Sequence, residues 1–557
     1  MRELRELIKG GPLLAAAFFL FFAAYSNSLG NPFLRDDIPH IADNDFVRSP
    51  APAKLFSAEY FLLSGAVAYR PAVTAARFAE YRLWGLNPAA WRFFNLLLHA
   101  ANAVLLFLIV LRLGGAPFAA AAAAALFLLH PAHTEALNYI SNGQCDIQAL
   151  FFLLAAFLAW LDGRRALCAA GFALAVLSKE MALAFPLVLA LYAAARGTLK
   201  KEAGFHAGMI AAAAAFAVWR VVYFRPGQAF LDNVMAEGAF AFSWPAALKA
   251  AAGFPALAVY YVKLLLWPSA LSPEIDRLLP EAGFFSPARL ALCWAALAAC
   301  LALAARAARR GPWPLFFTAA FHVSLLPVSG LVPLTSRLQE HFVYMPSVLF
   351  CAAAGLALAR LPRLRSAALL AALLLFVPRV WSRNQDWRSP LALAESDLRS
   401  FPRSARAMSG LAARKLDAGL YAEGLSLAEK AAAADPGLAE ARFLAAEGYL
   451  RAGRKAEALA AAEAGAPQRG PDQLVNLARI YAGAGLLDKA EAAAAEAAGN
   501  YPYFEPAFYT LGEICLMKKD LPCAERNFTG ALRLNPRSLA GGRLKALRGQ
   551  APRAGRG

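Results

Sequence analysis

Two adjacent carboxylates, Asp36 and Asp37, follow the first long apolar run of the chain. A carboxylate at the edge of a hydrocarbon layer is partly desolvated, so it can hold a raised pKa and act as a base, bind a cation or pair with a basic residue. Asp in such a place is equally a helix cap in a solvated loop. Other residues of chemical interest fall at the ends of later apolar runs: Arg70, His130 with His133 and Glu135, Lys179 with Glu180, Arg337, and Glu340 with His341. Cations and imidazoles gathered near a carboxylate can hold negative charge that develops on a leaving group. Each also has a plainer reading. His130-Pro131 can end a helix, Lys179-Glu180 can be an ion pair between two short spans, and Arg337 can snorkel to a membrane surface. Of the seven cysteines, Cys168, Cys293, Cys300 and Cys351 lie in or beside apolar runs and read as packing residues; no spacing suggests a zinc site.

The elements that position these residues are apolar. With 59% hydrophobic residues over 557 positions, the chain is a multi-pass membrane protein. Residues 1–9 resemble the charged start of a signal peptide, but no small-residue cleavage site follows, so the first run reads as a retained span. The net charge of +18 sits mostly at the ends of apolar runs, where the positive-inside rule puts it, and implies no nucleic-acid partner. Runs long enough or nearly long enough to cross a bilayer begin near Pro12, Trp91, Pro117, Cys145, Ala166, Met181, His206, Leu248, Pro287, Trp313, Phe342 and Arg365. Basic residues counted from the two ends give topologies that differ by one crossing. Residues 248–268, carrying Lys249, Lys263, Pro255 and Pro268, are therefore expected to form an in-plane or re-entrant helix, leaving about eleven spans. That topology puts all the candidate residues above at the outer face, and polar groups so gathered at membrane depth point to a site.

Beyond Trp381 the composition changes to Ala-rich segments with regular Glu, Lys and Arg. Units begin near Ala405, Ala439, Pro471 and Glu505, with small residues such as Gly512 and Ala524 where antiparallel helices cross and Pro536 at the close. These are tetratricopeptide repeats. The expected fold is all-α: a polytopic membrane domain over residues 1–381, a linker at 382–402, about four repeats in an α-solenoid over 403–540, and a basic flexible tail at 541–557. Cys515 and Cys523 fall on the two helices of the last repeat, and spacing alone leaves open whether they bond.

The order of these pieces resembles the transmembrane and tetratricopeptide-repeat O-mannosyltransferase family, within the GT-C class of membrane glycosyltransferases. The residues that carry the resemblance are Tyr25-Ser-Asn27 ahead of Asp36-Asp37 and Asn44; Tyr69-Arg70-Pro71; Asn95 with His99; His130-Pro-Ala-His133-Thr-Glu135; Leu177-Ser-Lys179-Glu180; and Glu340 with Tyr344 and Pro346. The resemblance implies transfer of a sugar, by default mannose, from a polyprenyl-phosphate donor to an acceptor hydroxyl on a polypeptide or other molecule, usually with inversion. It places the site and the repeats outside the cytoplasm, in a bacterial inner membrane. By position, Asp36 or Asp37 is the implied base. Arg70, His130, His133, Lys179, Arg337 and His341 are candidates for the donor's phosphate and sugar, with Glu135, Glu180 and Glu340 orienting them. No cofactor is implied, no metal ligand is assigned, and dependence on a divalent metal stays open. The chain departs from the family in two places. Gly143-Gln144-Cys145-Asp146 stands where Gly-Arg-x-Asp is usual, and Glu340-His341 where Glu-Arg is usual; each removes a guanidinium, so that either Arg337 or Arg70 compensates or the activity is weak or lost. A membrane-anchored scaffold, its repeats binding a protein partner, is the alternative function; a lipid-linked-sugar flippase would instead need ionisable groups at mid-membrane and symmetry between its halves.

Overall fold

The computed structural model describes residues 2–57, 59–65, 68–224, 244–278, 286–331 and 338–550. The described residues form helices and loops and contain no strand. The chain divides between Ser396 and Asp397 into two compact units.

Among the described residues, seven helices of the first unit are long and apolar enough to cross a membrane, and five shorter apolar helices accompany them. All twelve apolar runs of the sequence are thus helical. Proline opens several, as at Pro88, Pro117 and Pro287, where its missing N–H is no loss. Asn87 caps the helix Pro88–Arg112 by accepting from the Ala89 N–H at 3.1 Å. Helix Pro117–Leu129 lies at the centre, with every residue from Ala119 to Leu129 buried. It packs against Arg2–Tyr25, Pro88–Arg112, Tyr344–Ala359 and Arg365–Asp386. Close approach is what holds such a bundle together where lipid gives no hydrophobic drive. A Cβ on Gly355 would come within 2.4 Å of the Ala119 carbonyl oxygen, so glycine is required at that crossing.

The helices alternate between two chemically different ends. Arg112 pairs with Asp162, Arg165 with Glu202 at 2.8 Å, and the Arg365 guanidinium lies over Phe118, which marks one end as basic and simply paired. The opposite end gathers Asp37, Arg70, Glu135, Asp146, Lys179, Glu340, His341 and Arg383 through hydrogen bonds between segments far apart in sequence. Helix Trp244–Leu266 is a special case. It passes through Pro255 without interruption and is long enough to span, yet its contacts run along the polar end: Ala250 lies against Gly330, the Tyr261 hydroxyl donates to the Gln339 carbonyl at 3.0 Å, and the Leu265 carbonyl meets His130 Nε2 at 2.9 Å. Residues 326–328, just before Gly330, pack on the turn at 180–184, so both parts of the helix touch the same end. The helix also packs along Pro287–Ala308, with Trp294 Nε1 donating to the Ala252 carbonyl at 3.2 Å, and Pro255 does not break it.

The last helix, Arg365–Asp386, runs beyond Trp381, and the segment read as a linker contains a further helix, Pro390–Ser400. Leu393 packs with Leu34, Tyr139 and Trp387 in the polar-end core. That makes this stretch part of the first unit.

The second unit contains paired helices beginning at Ala405, Ala439, Pro471 and Glu505, the four positions that the sequence period marks. Each partner helix follows a tight turn whose left-handed residue is Gly419, Gly453 or Gly485; in the fourth pair Lys519 takes that place with φ 64°. Gly512 faces Phe528, where a Cβ would lie 2.6 Å from the ring. Cys515 and Cys523 are disulfide-bonded across the fourth turn, with Cα atoms 5.8 Å apart. The expected flexible tail begins as a helix, Ala540–Gln550; residues 551–557 lie outside the described ones.

Candidate functional site

The polar end of the first unit is built on the loop after the first span. Asn31 donates to Asn138 Oδ1 at 2.9 Å and to the Asn384 carbonyl at 2.9 Å, while Asn138 donates to Asn384 Oδ1 at 2.8 Å and Asn384 to Asn27 Oδ1 at 3.0 Å. Four amides thus tie the first loop, the 130–139 connection and the last span together. Buried amides each carry donors and acceptors, so such a ring is stable only when complete.

On this base the two carboxylates part company. Asp37 is fully buried and accepts the backbone N–H of Ser141 at 2.6 Å and of Leu34 at 3.3 Å. Burial pushes its carboxyl up to about 6, against those hydrogen bonds and the Arg92 guanidinium. Asp36 is exposed; its N–H donates to the Tyr139 hydroxyl at 3.3 Å, and its carboxylate also interacts with that hydroxyl. Arg35, in the left-handed region at φ 55°, pairs with Glu274 and lies 5.8 Å from the Tyr139 ring centroid. Asp37 is therefore a tie between loop and helix, and only Asp36 offers a carboxylate to solvent.

An open cleft beside this loop is lined by His40, Asn44, Arg70, Arg77, Ser141 and Cys145, among others. Arg70 grips Glu180 in a two-point pair, Nε to Oε2 at 3.2 Å and Nη2 to Oε1 at 2.7 Å, and Nη1 reaches Cys145 Sγ at 3.5 Å. Arg77 donates through Nε to Gln144 Oε1 at 3.1 Å and through Nη2 to the Ser141 carbonyl at 2.6 Å. Gln144 in turn donates to Glu80, which is buried and pushed up to about 8 by that burial, against the Arg77 charge and the Gln144 hydrogen bond.

The remaining candidates form a lattice behind the cleft. Lys179 Nζ meets Asp146 Oδ2, and Glu135 accepts from the His341 N–H at 3.0 Å and contacts its Nδ1 at 2.8 Å. Glu340 pairs with Arg383 at 3.1 Å, and Arg383 reaches on to Asp386 at 3.1 Å and Ser396 Oγ at 3.0 Å. Burial pushes Glu135 up. His130 and His133 do not face the cleft. His133 spends its nitrogens on the Phe127 carbonyl at 2.8 Å and Ser347 Oγ at 2.9 Å; His130 spends its own on Leu265 and on the Ala132 N–H at 3.2 Å. Burial holds His130 near 4 and His133 well below the usual imidazole range, which favours the neutral form of each. Glu340 and His341 are likewise engaged inside the lattice. Lys179 and Glu180 are no ion pair with each other: adjacent in sequence, they face different partners. Arg337 lies outside the described residues.

Sequence reasoning missed Arg77, Arg92, Arg383 and the asparagine ring. Arg77 lies on the helix Pro71–Trp84, seven residues after Arg70, which caps that helix from outside it, and that spacing was the available signal, since it returns Arg77 to the side of the helix on which the chain enters.

No protein-family model matches the chain. Over 189 residues it is 30% identical to mouse "Protein O-mannosyl-transferase TMTC3", a stretch covering 33% of this chain and 19% of the mouse protein. The human protein of that name is 32% identical over 144 residues, 25% of this chain and 16% of the human one; "Protein O-mannosyl-transferase Tmtc1" of Drosophila melanogaster is 31% identical over 153 residues, 26% and 18%. The matched stretches thus span under a fifth of these relatives. Among solved structures, TTC0263, a thermophilic tetratricopeptide-repeat protein of Thermus thermophilus, is 22% identical over 30% of this chain and 92% of its own, with a TM-score of 0.27. YrrB, described as a tetratricopeptide-repeat protein with an unusual peptide-binding site, is 20% identical over 30% and 86%, with a TM-score of 0.22.

Proposed function

We propose that this chain is a membrane glycosyltransferase of the GT-C kind that moves a sugar, mannose by resemblance, from a polyprenyl-phosphate donor to a hydroxyl, on a polypeptide or other acceptor. The observation that carries the reading is an exposed carboxylate, Asp36, at the same end of a helical membrane unit as an arginine-lined cleft. The partial similarity to proteins named O-mannosyl-transferases supports it.

In the proposed reaction the Asp36 carboxylate takes the proton of the acceptor hydroxyl. The hydroxyl oxygen forms a bond to the anomeric carbon from the face opposite the phosphate, and the bond from that carbon to the phosphate oxygen breaks. The electron pair leaves on the lipid phosphate, and configuration at the carbon inverts. Asp37 acts indirectly, fixing the loop that presents its neighbour. Positive charge in the cleft stabilises the departing phosphate. The basic end holding Arg112, Arg165 and Arg365 faces the cytoplasm by the positive-inside rule, which puts the cleft outside, in a bacterial inner membrane. The last span ends in the same polar network, through Arg383 and Glu340, and the repeats that follow in the chain select the acceptor.

The test is to incubate purified protein with several polyprenyl-phosphate hexoses and a Ser/Thr-containing peptide, with and without EDTA, and to follow sugar transfer and donor hydrolysis by mass spectrometry. Sugar on the peptide supports the reading. Neither transfer nor hydrolysis with any donor overturns it in favour of a repeat scaffold, a role the four helix pairs also suit.

A further inference from the structure

The cleft contains two guanidinium groups whose electrostatic situations differ. Arg70 is matched by Glu180 in a two-point pair, so its charge and its most directional donors are already committed. Arg77 has no such partner. Its Nε and Nη2 are held by two neutral oxygens, those of the Gln144 amide and the Ser141 carbonyl, and Nη1 has no hydrogen-bond partner among the described residues. Glu80, three residues on along the same helix, feels the Arg77 charge directly and is bonded to the Gln144 amide, but forms no ion pair with Arg77 among the described residues. Glu80 is buried, and burial favours its neutral form at neutral pH. Arg77 is thus fixed in direction by two bonds to neutral oxygens, beside the cleft that it lines.

A guanidinium placed like this is prepared for an anion. Orientation by Gln144 and Ser141 lowers the side-chain entropy lost on binding, and with no ion pair at Arg77 among the described residues none has to be broken first. We infer that Arg77, aimed by the Ser141 carbonyl and by the Gln144–Glu80 pair, is the residue that binds the phosphate of the polyprenyl-phosphate donor, and that Arg70 shapes the cleft without giving up Glu180. The inference rests on the donor chemistry proposed above. Gln144 and Glu80 are positioning residues: neither touches the phosphate, and each acts through the guanidinium.

The experiment uses the full chain in lipid nanodiscs and two readouts, direct binding of polyprenyl phosphate and steady-state transfer from polyprenyl-phosphate mannose. Arg77→Gln is expected to weaken polyprenyl-phosphate binding and raise the donor KM by roughly 10- to 100-fold, the scale of a charged hydrogen bond to phosphate, with a smaller change in kcat. Arg77→Lys should retain part of the affinity. Placing a guanidinium across the same bond, in the double variant Arg77→Gln with Gln144→Arg, should recover affinity over the single variant, a rescue that a merely structural role would not show. Wild-type binding of polyprenyl phosphate that Arg77→Gln leaves unchanged overturns the assignment, as does a wild type that binds none. Binding that depends on Arg77 in a protein that transfers no sugar upholds the assignment and overturns the transferase reading instead.

Discussion

Lys179 Nζ lies 2.8 Å from Asp146 Oδ2, and both side chains are shut off from solvent. Taking two charges out of water costs several kcal/mol per ion, recovered only while each faces the other. Lys179→Ala is therefore expected to lower stability by about 3–5 kcal/mol, because it strands the Asp146 carboxylate. The double variant Lys179→Met with Asp146→Leu should be the more stable of the two. Thermal unfolding in one detergent compares them, and equal melting points would show that the pair is not coupled.

Asp36 and Asp37 should separate cleanly on substitution. Asp36→Asn touches an exposed carboxylate, so the fold should be unchanged and transfer should fall by at least about a hundredfold, the scale of general-base catalysis. Asp37→Asn retains one oxygen for two backbone N–H donors, and a destabilisation of roughly 1–3 kcal/mol is expected. Turnover and melting temperature, measured on both variants, decide the division; full turnover in Asp36→Asn removes it as the base.

Glu80 gives the fold a pH dependence of definite sign. Its carboxyl is raised to about 8 in the folded chain against an ordinary value of 4.5, so the folded state holds the proton more tightly than the unfolded one. That contribution is fully present below about pH 4.5 and is lost as pH rises through 8. Stability should decline across this window by a few kcal/mol at most. Glu80→Gln, which keeps a neutral partner for Gln144, should flatten the slope, and an unaltered slope assigns it to other groups.

The repeats can be tested without injuring the site if the cut is placed with care. Ending the chain after Trp387 would remove Leu393 from a buried cluster and Ser396 from Arg383 and Asp386. Ending it after Phe401 retains both. The shorter protein is expected to bind and slowly hydrolyse the donor while losing transfer to its natural acceptor; equal transfer would assign the repeats to another task.

Reduction and alkylation should add mass at Cys515 and Cys523, which are bonded in the structure. Equal mass with and without reductant would place both thiols free.

The sequence was readable where the physical signal is local. Helical repeats show through because small residues must recur wherever two helices cross, and Gly512 against Phe528 is such a crossing. The twelve apolar runs are helical among the described residues, since an apolar run is likewise a local signal. Asp36, Arg70, Lys179 and Glu180 could be named as residues of interest, but their pairings could not. Arg70 takes its partner 110 residues away, and Arg383 is held by Glu340, 43 residues away. Arg383 reads in the sequence as one more basic residue at the end of a span. The burial of His130 and His133 was not legible, because a Pro-Ala-His run carries no sign of it.

The helix Pro117–Leu129 presents seven consecutive alanines, Ala119 to Ala125, none exposed. Most helices have a tolerant side, so a scan of substitutions along them rises and falls every three or four positions. Here methyl groups meet a neighbour in every direction, and enlarging any one of them drives into packed atoms. A complete substitution map of this chain should show that stretch as an unbroken block, where the helical period disappears from the tolerance profile.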